Sequence, residues 1–294
     1  MRRYLVSFSL AALIILIFPA TALAASDPGL GGAGFFAVLA GTTVTNTGPS
    51  WITGQLGVAP GSAVTGFPPG TSGVQHKGDS VATTAQTNLT AAFTNAAAQP
   101  CPGTNNKTGV NLGGMTLVPG VYCQTTAPTL TGTLTLNGGG IYIFQIGSTL
   151  ITASGASISL IGGAQPCDIF WVVGSSATIA TSTSFVGTIM ALTSIAMQTG
   201  ATLNGRALAR NGEVTLDTNR IIQSSNCGPP FYSFNYPAPT SVAPPNGNIL
   251  PASLGVPLEL RGQIPWLLLI GVGAGLGATA LGVSNGRRRR RRTA

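Results

Sequence analysis

The sequence predicts a mainly β protein whose central domain is a parallel β-solenoid carrying one long helix. Residues 26–227 are rich in Thr, Ser, Gly, Ala, Val, Ile and Leu, a composition that favours strands and tight turns. A loose repeat of hydroxyl, apolar, any, apolar, any, polar and glycine recurs through this region. One stretch, residues 79–99, lacks Gly and Pro and instead shows helical periodicity.

The repeat is the main argument for a solenoid. Its copies are TLTLNG from 133, TLITASG from 149, TIATSTS from 178, SIAMQTG from 194 and EVTLDTN from 213, so their starting positions differ by 16, 29, 16 and 19 residues. Steps of roughly 16 to 20 residues are too short for a propeller blade and fit one coil of a parallel β-solenoid. In the last two copies, alternation sends one set of side chains inward and the other outward. The outward set is Ser194, Ala196, Thr215 and Asp217.

The helix is predicted over about residues 79–99. Apolar residues recur there at helical spacing and define a face that is expected to pack against the solenoid. They are Val81, Ala85, Leu89, Ala92 and Ala96. Residues 100–123 follow, rich in Gly and Asn and bounded by cysteines. Since the open end of a solenoid pairs with other chains unless it is covered, we expect this segment to be a cap.

Four cysteines lie in the predicted domain, at Cys101, Cys123, Cys167 and Cys227. In an exported domain they indicate two disulfides, and four cysteines allow three pairings. We expect Cys101 with Cys123, which would close the cap, and Cys167 with Cys227, which would tie the chain end to the body. A metal site is the rival interpretation, but no spacing is CxxC and the chain has one histidine.

The N-terminus predicts export. Residues 1–24 contain Arg2 and Arg3, an apolar stretch over 5–18 and small residues before a cleavage point after Ala24, as in a secretory signal peptide. An uncleaved anchor helix is disfavoured because the apolar run is short and ends at Pro19. The mature domain is then expected at 25–228, outside the cytoplasm.

The C-terminal region predicts a membrane anchor. Residues 229–263 are rich in Pro and Asn and read as an extracellular stalk. Residues 264–283 are uncharged and mostly apolar, and as a helix they would span about 30 Å, the thickness of a bilayer core. The Arg-rich tail, 284–294, predicts a cytoplasmic C-terminus. Transfer to a cell wall is the alternative, because residues 250–255 weakly match a sorting signal.

Charge excludes several function classes. The formal charge is +8, but Arg2, Arg3 and residues 287–292 account for all of it. The remaining six basic and six acidic residues balance, so no basic groove for nucleic acid is predicted. Glu213 and Asp217 are the only close acidic pair, and on an extended strand they would lie about 13 Å apart. His76 lies in a loop-like segment with no obvious acidic partner. The sequence therefore predicts no catalytic site, cofactor, metal or small-molecule substrate.

Several ordered blocks resemble the microbial β-solenoid ice-binding protein family. They are LGGAGFFAVLAGTTVTNTGP at 30–49, GQLGVAPG at 54–61, VTGFPPG at 64–70, VPGVYC at 118–123, YIFQIGS at 142–148, IFWVVGS at 169–175 and NGRALARNGEVTL at 204–216. The resemblance covers about residues 29–226. It implies a right-handed β-helix of triangular section with a long α-helix packed alongside and a small capping subdomain. It also implies adsorption to ice through one flat solenoid face, without catalysis.

The candidate ice-binding residues form an expected outward column of Thr133, Thr149, Thr178 and Ser194, with Thr135, Ala180, Ala196 and Thr215 as neighbours. Glu213 and Asp217 would mark the rim at the end of this set. The resemblance adds a Thr-Ala/Gly-x-Thr/Asn motif, which matches at 108–111, 126–129 and 199–202, so Thr199 and Thr202 are candidates too.

Two other functions fit an extracellular solenoid. A polysaccharide lyase or hydrolase would need paired carboxylates in a cleft, which the spacing of Glu213 and Asp217 disfavours. A cell-surface adhesin or structural protein of the same fold, without ice activity, is the stronger alternative. A flat, uncharged solenoid face is the feature that distinguishes an ice-binding protein from an adhesin. The partners expected are an ice crystal surface and, through the C-terminal helix, the membrane.

Overall fold

The computed structural model describes residues 24–224, which fold into a solenoid of short strands with one helix. The helix α1 is Ser80–Ala97, and single 3-10 turns lie at Gly31–Phe35, Gly103–Asn105 and Pro166–Asp168. The strands are β1 (Phe36–Ala40), β2 (Thr43–Thr47), β3 (Trp51–Thr53), β4 (Gln55–Val58), β5 (Ala63–Thr65), β6 (Gln75–Lys77), β7 (Thr116–Leu117), β8 (Gly120–Gln124), β9 (Thr129–Leu130), β10 (Thr133–Asn137), β11 (Tyr142–Ile146), β12 (Leu150–Thr152), β13 (Ser157–Ile161), β14 (Ile169–Val173), β15 (Ala177–Ile179), β16 (Ser184–Ala191), β17 (Ile195–Met197), β18 (Thr202–Ala209), β19 (Val214–Asp217) and β20 (Arg220–Ile222).

Every pairing between these strands is parallel, as the stacked coils of a solenoid require. The strands line three faces. One face is a seven-stranded sheet in the order β5-β2-β19-β17-β15-β12-β9. The other two faces share a second sheet, because β16 and β18 run from one face onto the other. The predicted fold class, a mainly β solenoid with one long helix, is confirmed.

The corner between the two faces of the second sheet depends on a glycine pair. Gly187 and Gly205 lie opposite each other on β16 and β18, with φ of 107° and 153°. A Cβ on Gly205 would lie 2.0 Å from the Gly187 carbonyl oxygen. Only glycine permits both this backbone conformation and this approach, so one strand continues around the corner.

The coils do not stack in chain order. β1 pairs with β18 on one side and β4 on the other, and β2 likewise lies between β19 and β5. The first coils of the chain therefore stack beyond the last ones. Helix α1 then carries the chain about 27 Å along the solenoid to the opposite end, where β7, β8 and β9 begin the remaining coils.

Helix α1 covers what we call the helix face, formed by β8, β11, β14, β1, β4, β6 and the C-terminal halves of β16 and β18. Asp79 caps the helix by accepting a hydrogen bond from the Ala82 N–H at 2.9 Å. The buried residues Ala85, Leu89 and Ala92 pack on Ile143, Phe170, Met190 and Leu208. Small alanines on this stripe let the helix axis approach the sheet closely.

The interior of the solenoid is a ladder of apolar side chains, one layer per coil. Tyr122, Phe144, Trp171 and Phe185 stack in consecutive layers, with 4.0 Å between the Phe144 and Trp171 ring centroids. The Trp171 indole N–H donates to the Val186 carbonyl at 3.0 Å, so its one polar group is paired inside the core.

The segment before β8 covers the end coil. The Lys107 N–H donates to the Cys123 carbonyl at 2.8 Å and the Leu112 N–H to the Thr129 carbonyl at 3.0 Å. Leu112 itself is fully buried. These bonds occupy the outer edges of β8 and β9, and the Cys101–Cys123 disulfide ties the start of the segment to β8. The expected pairing of these two cysteines is confirmed.

Several predictions concern residues outside 24–224. They are the signal peptide at 1–24, of which residues 1–23 lie outside the described range, the stalk at 229–263, the membrane span at 264–283, the tail at 284–294 and the pairing partner Cys227. Cys167 is disulfide-bonded. Between residues 24 and 224, no helix is both long and apolar enough to cross a membrane.

Candidate functional site

The outward side of the seven-stranded sheet, which we call the hydroxyl face, carries three columns of side chains. Strand register aligns the middle column in the order Thr65, Thr45, Thr215, Ala196, Thr178, Ile151 and Thr129. Alternate residues such as Val214, Ile195 and Leu150 point into the core. Neighbouring strands are about 4.8 Å apart, so the seven-residue column is about 29 Å long.

A second column lies about 7 Å away, two residues earlier on each strand. Its members are Thr149, Ser176, Ser194, Glu213, Thr43 and Ala63. Backbone bonds fix their order, because the carbonyls of Ser176, Ser194 and Glu213 each accept from the coil next to them. Hydroxyls also link the coils, since the Ser194 Oγ accepts from the Glu213 N–H at 3.3 Å.

The third column lies at the corner where the hydroxyl face turns into the next face. Its members are Ser154, Thr181, Thr199, Asp217 and Thr47, each followed by a residue with positive φ. Those residues are Gly155, Ser182, Gly200, Thr218 and Gly48. The N–H of each positive-φ residue from Gly155 to Thr218 donates to the corner carbonyl of the next coil, at 2.9 to 3.2 Å. The corner is therefore a regular stacked ladder.

This corner explains the motif at 199–202. Thr199 is the corner residue, Gly200 supplies the positive φ and Thr202 starts β18 on the following face. The segments 154–157 and 181–184 place hydroxyl residues at the same two positions in the neighbouring coils. By contrast, 108–111 lies in the cap segment and 126–129 leads into β9, so only the 199–202 match belongs to the stacked corner.

The structure divides the predicted site residues between two faces. The third face consists of β3, β20, β13, β10, β7 and the N-terminal halves of β16 and β18. It carries three of the predicted residues, Thr133, Thr135 and Thr202. The hydroxyl face carries five others, Thr149, Thr178, Ser194, Ala196 and Thr215. Thr199 is at the corner. Ala180 is also near the corner but only 8% exposed.

The predicted single column of Thr133, Thr149, Thr178 and Ser194 is therefore wrong. Thr133 is on β10 and pairs with Ser157, one full coil later, whereas Thr149 begins another side of the same coil. The 16-residue step from 133 to 149 is thus less than one coil. Every side of a solenoid shows the same inward and outward alternation, so the repeat pattern does not distinguish the sides.

The predicted rim is also wrong. Glu213 directly precedes β19 and Asp217 ends it, and β19 lies inside the sheet with β2 and β5 beyond it. The first coils of the chain stack beyond the last ones, so the order of residues in the sequence does not give the order of the strands in the sheet. For the same reason Thr43, Thr45 and Thr65 are not among the residues predicted from the sequence, although they lie in the same columns. Their only signal is the alternating block TVTNT at 43–47, which matches the outward pattern of the later coils.

The hydroxyl face carries no charge along its middle column. Its two carboxylates are bonded to neighbouring hydroxyls: Glu213 Oε2 accepts from Thr43 Oγ1 at 3.4 Å, and Asp217 accepts from Thr199 Oγ1 at 2.5 Å and from Thr218 Oγ1 at 3.0 Å. Side chains on the middle strands are half-buried by the coils on either side. Such a surface presents ordered methyl and hydroxyl groups on a fixed grid.

The third face is less regular. Its ladder narrows to one residue pair, Ser157 with Ser184, between β13 and β16. At the far end Trp51 is 54% exposed, and the Arg220 guanidinium lies 5.3 Å from its ring centroid. A bulky indole and a charge therefore interrupt the flat surface.

Other titratable groups serve the fold. His76 does have an acidic partner, contrary to the sequence-based expectation, because its Nδ1 lies 2.7 Å from Asp79 Oδ2. Burial raises the pKa of Asp79, but hydrogen bonds from Ala82 and His76 outweigh it and the pKa falls below its usual value.

Arg206 is buried, which lowers its pKa, and its Nε donates to the Gly34 carbonyl at 3.0 Å. Over residues 24–224, no group of three or more His, Cys, Asp or Glu side chains is arranged to hold a metal ion.

Comparisons with known proteins agree with this architecture. A family model described as Ice-binding-like matches residues 38–222. An ice-binding protein of Nostoc sp. (strain HG1) is 50% identical over 210 residues, covering 69% of this chain and 77% of the relative. One of Flammulina populicola is 36% identical and covers 76% of this chain and 99% of the relative. The crystal structure of an ice-binding protein from an Antarctic biological consortium superposes with a TM-score of 0.66 at 44% identity, covering 70% of this chain and 95% of that one. The chain belongs to the ice-binding protein family.

Proposed function

We propose that this protein adsorbs to ice through its hydroxyl face and works without catalysis. The observation that carries the proposal is the uncharged middle column, which runs in unbroken parallel register across all seven strands of the sheet. Relatives that are named as ice-binding proteins support the choice of ligand.

The grid suits a solid water surface. Side chains repeat at about 4.8 Å across the strands and about 7 Å along them, spacings comparable with those of oxygen atoms in ice. Threonine methyl groups order the adjacent water without competing for its hydrogen bonds, and the hydroxyls bond to that layer. Because threonine is β-branched and these side chains are packed between coils, little rotamer entropy remains to be lost on adsorption.

The hydroxyl face is a better candidate than the third face for two reasons. Its strand register is continuous, whereas the third face narrows to a single pair at Ser157 and Ser184. Its middle column is free of charge, whereas Arg220 and Trp51 occupy the end of the third face. A flat crystal plane requires both continuity and the absence of protruding groups.

We also propose that the domain is displayed outside the cell. The signal-like residues 1–24 and the apolar segment 264–283 with its following arginines support an exported domain with a C-terminal membrane anchor. Such an arrangement would tether a cell to ice. A C-terminal tag protected from external protease on intact cells, together with a protease-accessible domain, tests this topology, and an accessible tag would contradict it.

The decisive experiment for the activity is thermal hysteresis and inhibition of ice recrystallisation by the purified protein, with adsorption of the fluorescently labelled protein to a single ice crystal. Ice-bound fluorescence with slowed recrystallisation is the expected result. A folded protein that shows neither effect at high concentration would overturn the proposal and favour a surface adhesin of the same fold.

A further inference from the structure

We infer that Glu213 divides the hydroxyl face and confines ice contact to the coils on the cap side of β19. The inference rests on the proposed function and specifies which part of the face is used. The contacting area consists of the outward residues of β9, β12, β15 and β17 with the adjoining corner. The hydroxyls of β2 and β5, although in register, lie beyond the charge.

The position of Glu213 carries the argument. It occupies a place in the second column where Ser194 lies on one side and Thr43 on the other. Its side chain is exposed, and its one side-chain hydrogen bond within residues 24–224, from Thr43 Oγ1, is long at 3.4 Å. The carboxylate is therefore free to hold its own hydration shell at the level of the face.

A hydrated carboxylate is incompatible with an ice-like layer at that point. It accepts hydrogen bonds from several water molecules at once, whereas in ice each water molecule donates as many hydrogen bonds as it accepts. Removing that shell to seat a crystal plane would cost free energy, because nothing on the plane compensates a charge. The layer ordered over Ser194 and Thr178 should end at this residue.

Asp217 differs from Glu213 and serves as a positioning residue. It is half-buried at the corner, and its two oxygens accept from Thr199 Oγ1 and Thr218 Oγ1. These bonds fix the Thr199 side chain at the edge of the contacting area. Its carboxylate is largely satisfied by protein donors, so it perturbs water less than Glu213 does.

The size of the two parts favours the cap side. Four coils lie there, contributing Thr129, Ile151, Thr178 and Ala196 in the middle column. Beyond β19 only two coils remain, with Thr45 and Thr65. Adsorption to a crystal depends on the number of groups that engage one plane together, so the larger uncharged part dominates.

The test is a cycle of variants of the full chain. Thr45→Ser, which removes one methyl group without adding bulk, should leave thermal hysteresis unchanged, and the matched Thr178→Ser should lower it. Glu213→Thr, which continues the hydroxyl column, should raise activity about two- to fivefold, the range expected for one exposed charge. Adding Thr45→Ser to Glu213→Thr should reduce that gain, because the coils beyond β19 contribute only once the charge is gone. Glu213→Gln separates loss of charge from gain of a hydroxyl.

Each outcome decides the question, provided that melting curves show all variants folded. A Thr45→Ser variant weakened as much as Thr178→Ser, or a Glu213→Thr variant with unchanged activity, would overturn the division of the face. In those cases the wild-type protein still adsorbs to ice, so the proposed function stands. A wild-type protein that does not adsorb to ice would overturn both.

Discussion

Thr178 lies directly opposite Ala196 on the neighbouring coil of the hydroxyl face, and both side chains are half-buried. The pair marks the centre of the uncharged column. A side chain at this position contacts any plane that lies against the face. A bulky substitution here should therefore disturb the binding of a flat crystal surface more than one at the edge of the face.

Thr178→Tyr is expected to reduce thermal hysteresis by about tenfold or more, as for a residue at the centre of an interface. The ring would stand above its neighbours and hold a flat plane away from them. Thr149→Tyr, in the second column, should reduce it less. The matched control is Ser157→Tyr on the third face, which should retain activity. Loss in Ser157→Tyr with retention in Thr178→Tyr would place the site on the third face.

Replacing Cys101 and Cys123 together with serine should lower the free energy of unfolding by about 3 kcal/mol. The disulfide closes a loop with a sequence separation of 22, and its loss enlarges the unfolded ensemble. Urea denaturation of the variant without reductant measures the effect and leaves the bond at Cys167 intact. Unchanged stability would show that the backbone bonds of the cap hold the end coil without the disulfide.

Trp171→Phe should cost about 1–3 kcal/mol, because the buried Val186 carbonyl loses its donor while the aromatic stack persists. Chemical denaturation followed by circular dichroism reports this change. Trp51→Phe is the control, since Trp51 is more than half exposed and should change stability by less than about 0.5 kcal/mol. Equal losses in both variants would contradict the assigned role of the indole N–H.

Asp79→Ala should lower stability by about 1 kcal/mol at neutral pH through loss of the helix cap. The native pKa of Asp79 lies below the unfolded value of about 3.9, so this stabilisation is present above that pH and is lost as pH falls through the native pKa. The stability difference between wild type and Asp79→Ala should therefore narrow below about pH 4. Asp79→Asn keeps a capping oxygen that does not titrate. A difference that stays constant down to pH 2 would argue against the carboxylate as the source.

Local features of this fold are readable in the sequence. The periodicity of Ala85, Leu89 and Ala92 predicts α1, and the alternation of Ile195, Ala196 and Met197 predicts a strand with one buried side. Both patterns lie within a short stretch of the chain, so they can be recognised without knowing which coils stack next to it. The pairing of Cys101 with Cys123 was predictable because both bound one short segment.

The candidate site was only partly predictable because it is made of relations between coils. Thr149 and Thr133 have equivalent local patterns but lie on different faces, and the assignment depends on turns such as the corner at Gly155. The place of Glu213 depends on the register of β19 with β2, set by residues 170 positions away in the chain. No local pattern contains that information.

The stacking of β1 on β18 has a consequence for how the protein is made. Val38 faces Ala207, so a strand synthesised early by the ribosome waits for nearly the whole domain before it acquires this neighbour. Until then the nascent chain exposes an open strand edge, which invites association with other chains. Completion of the fold, and of the array around Thr215 and Thr45, is thus a late event that a truncated translation product cannot reach.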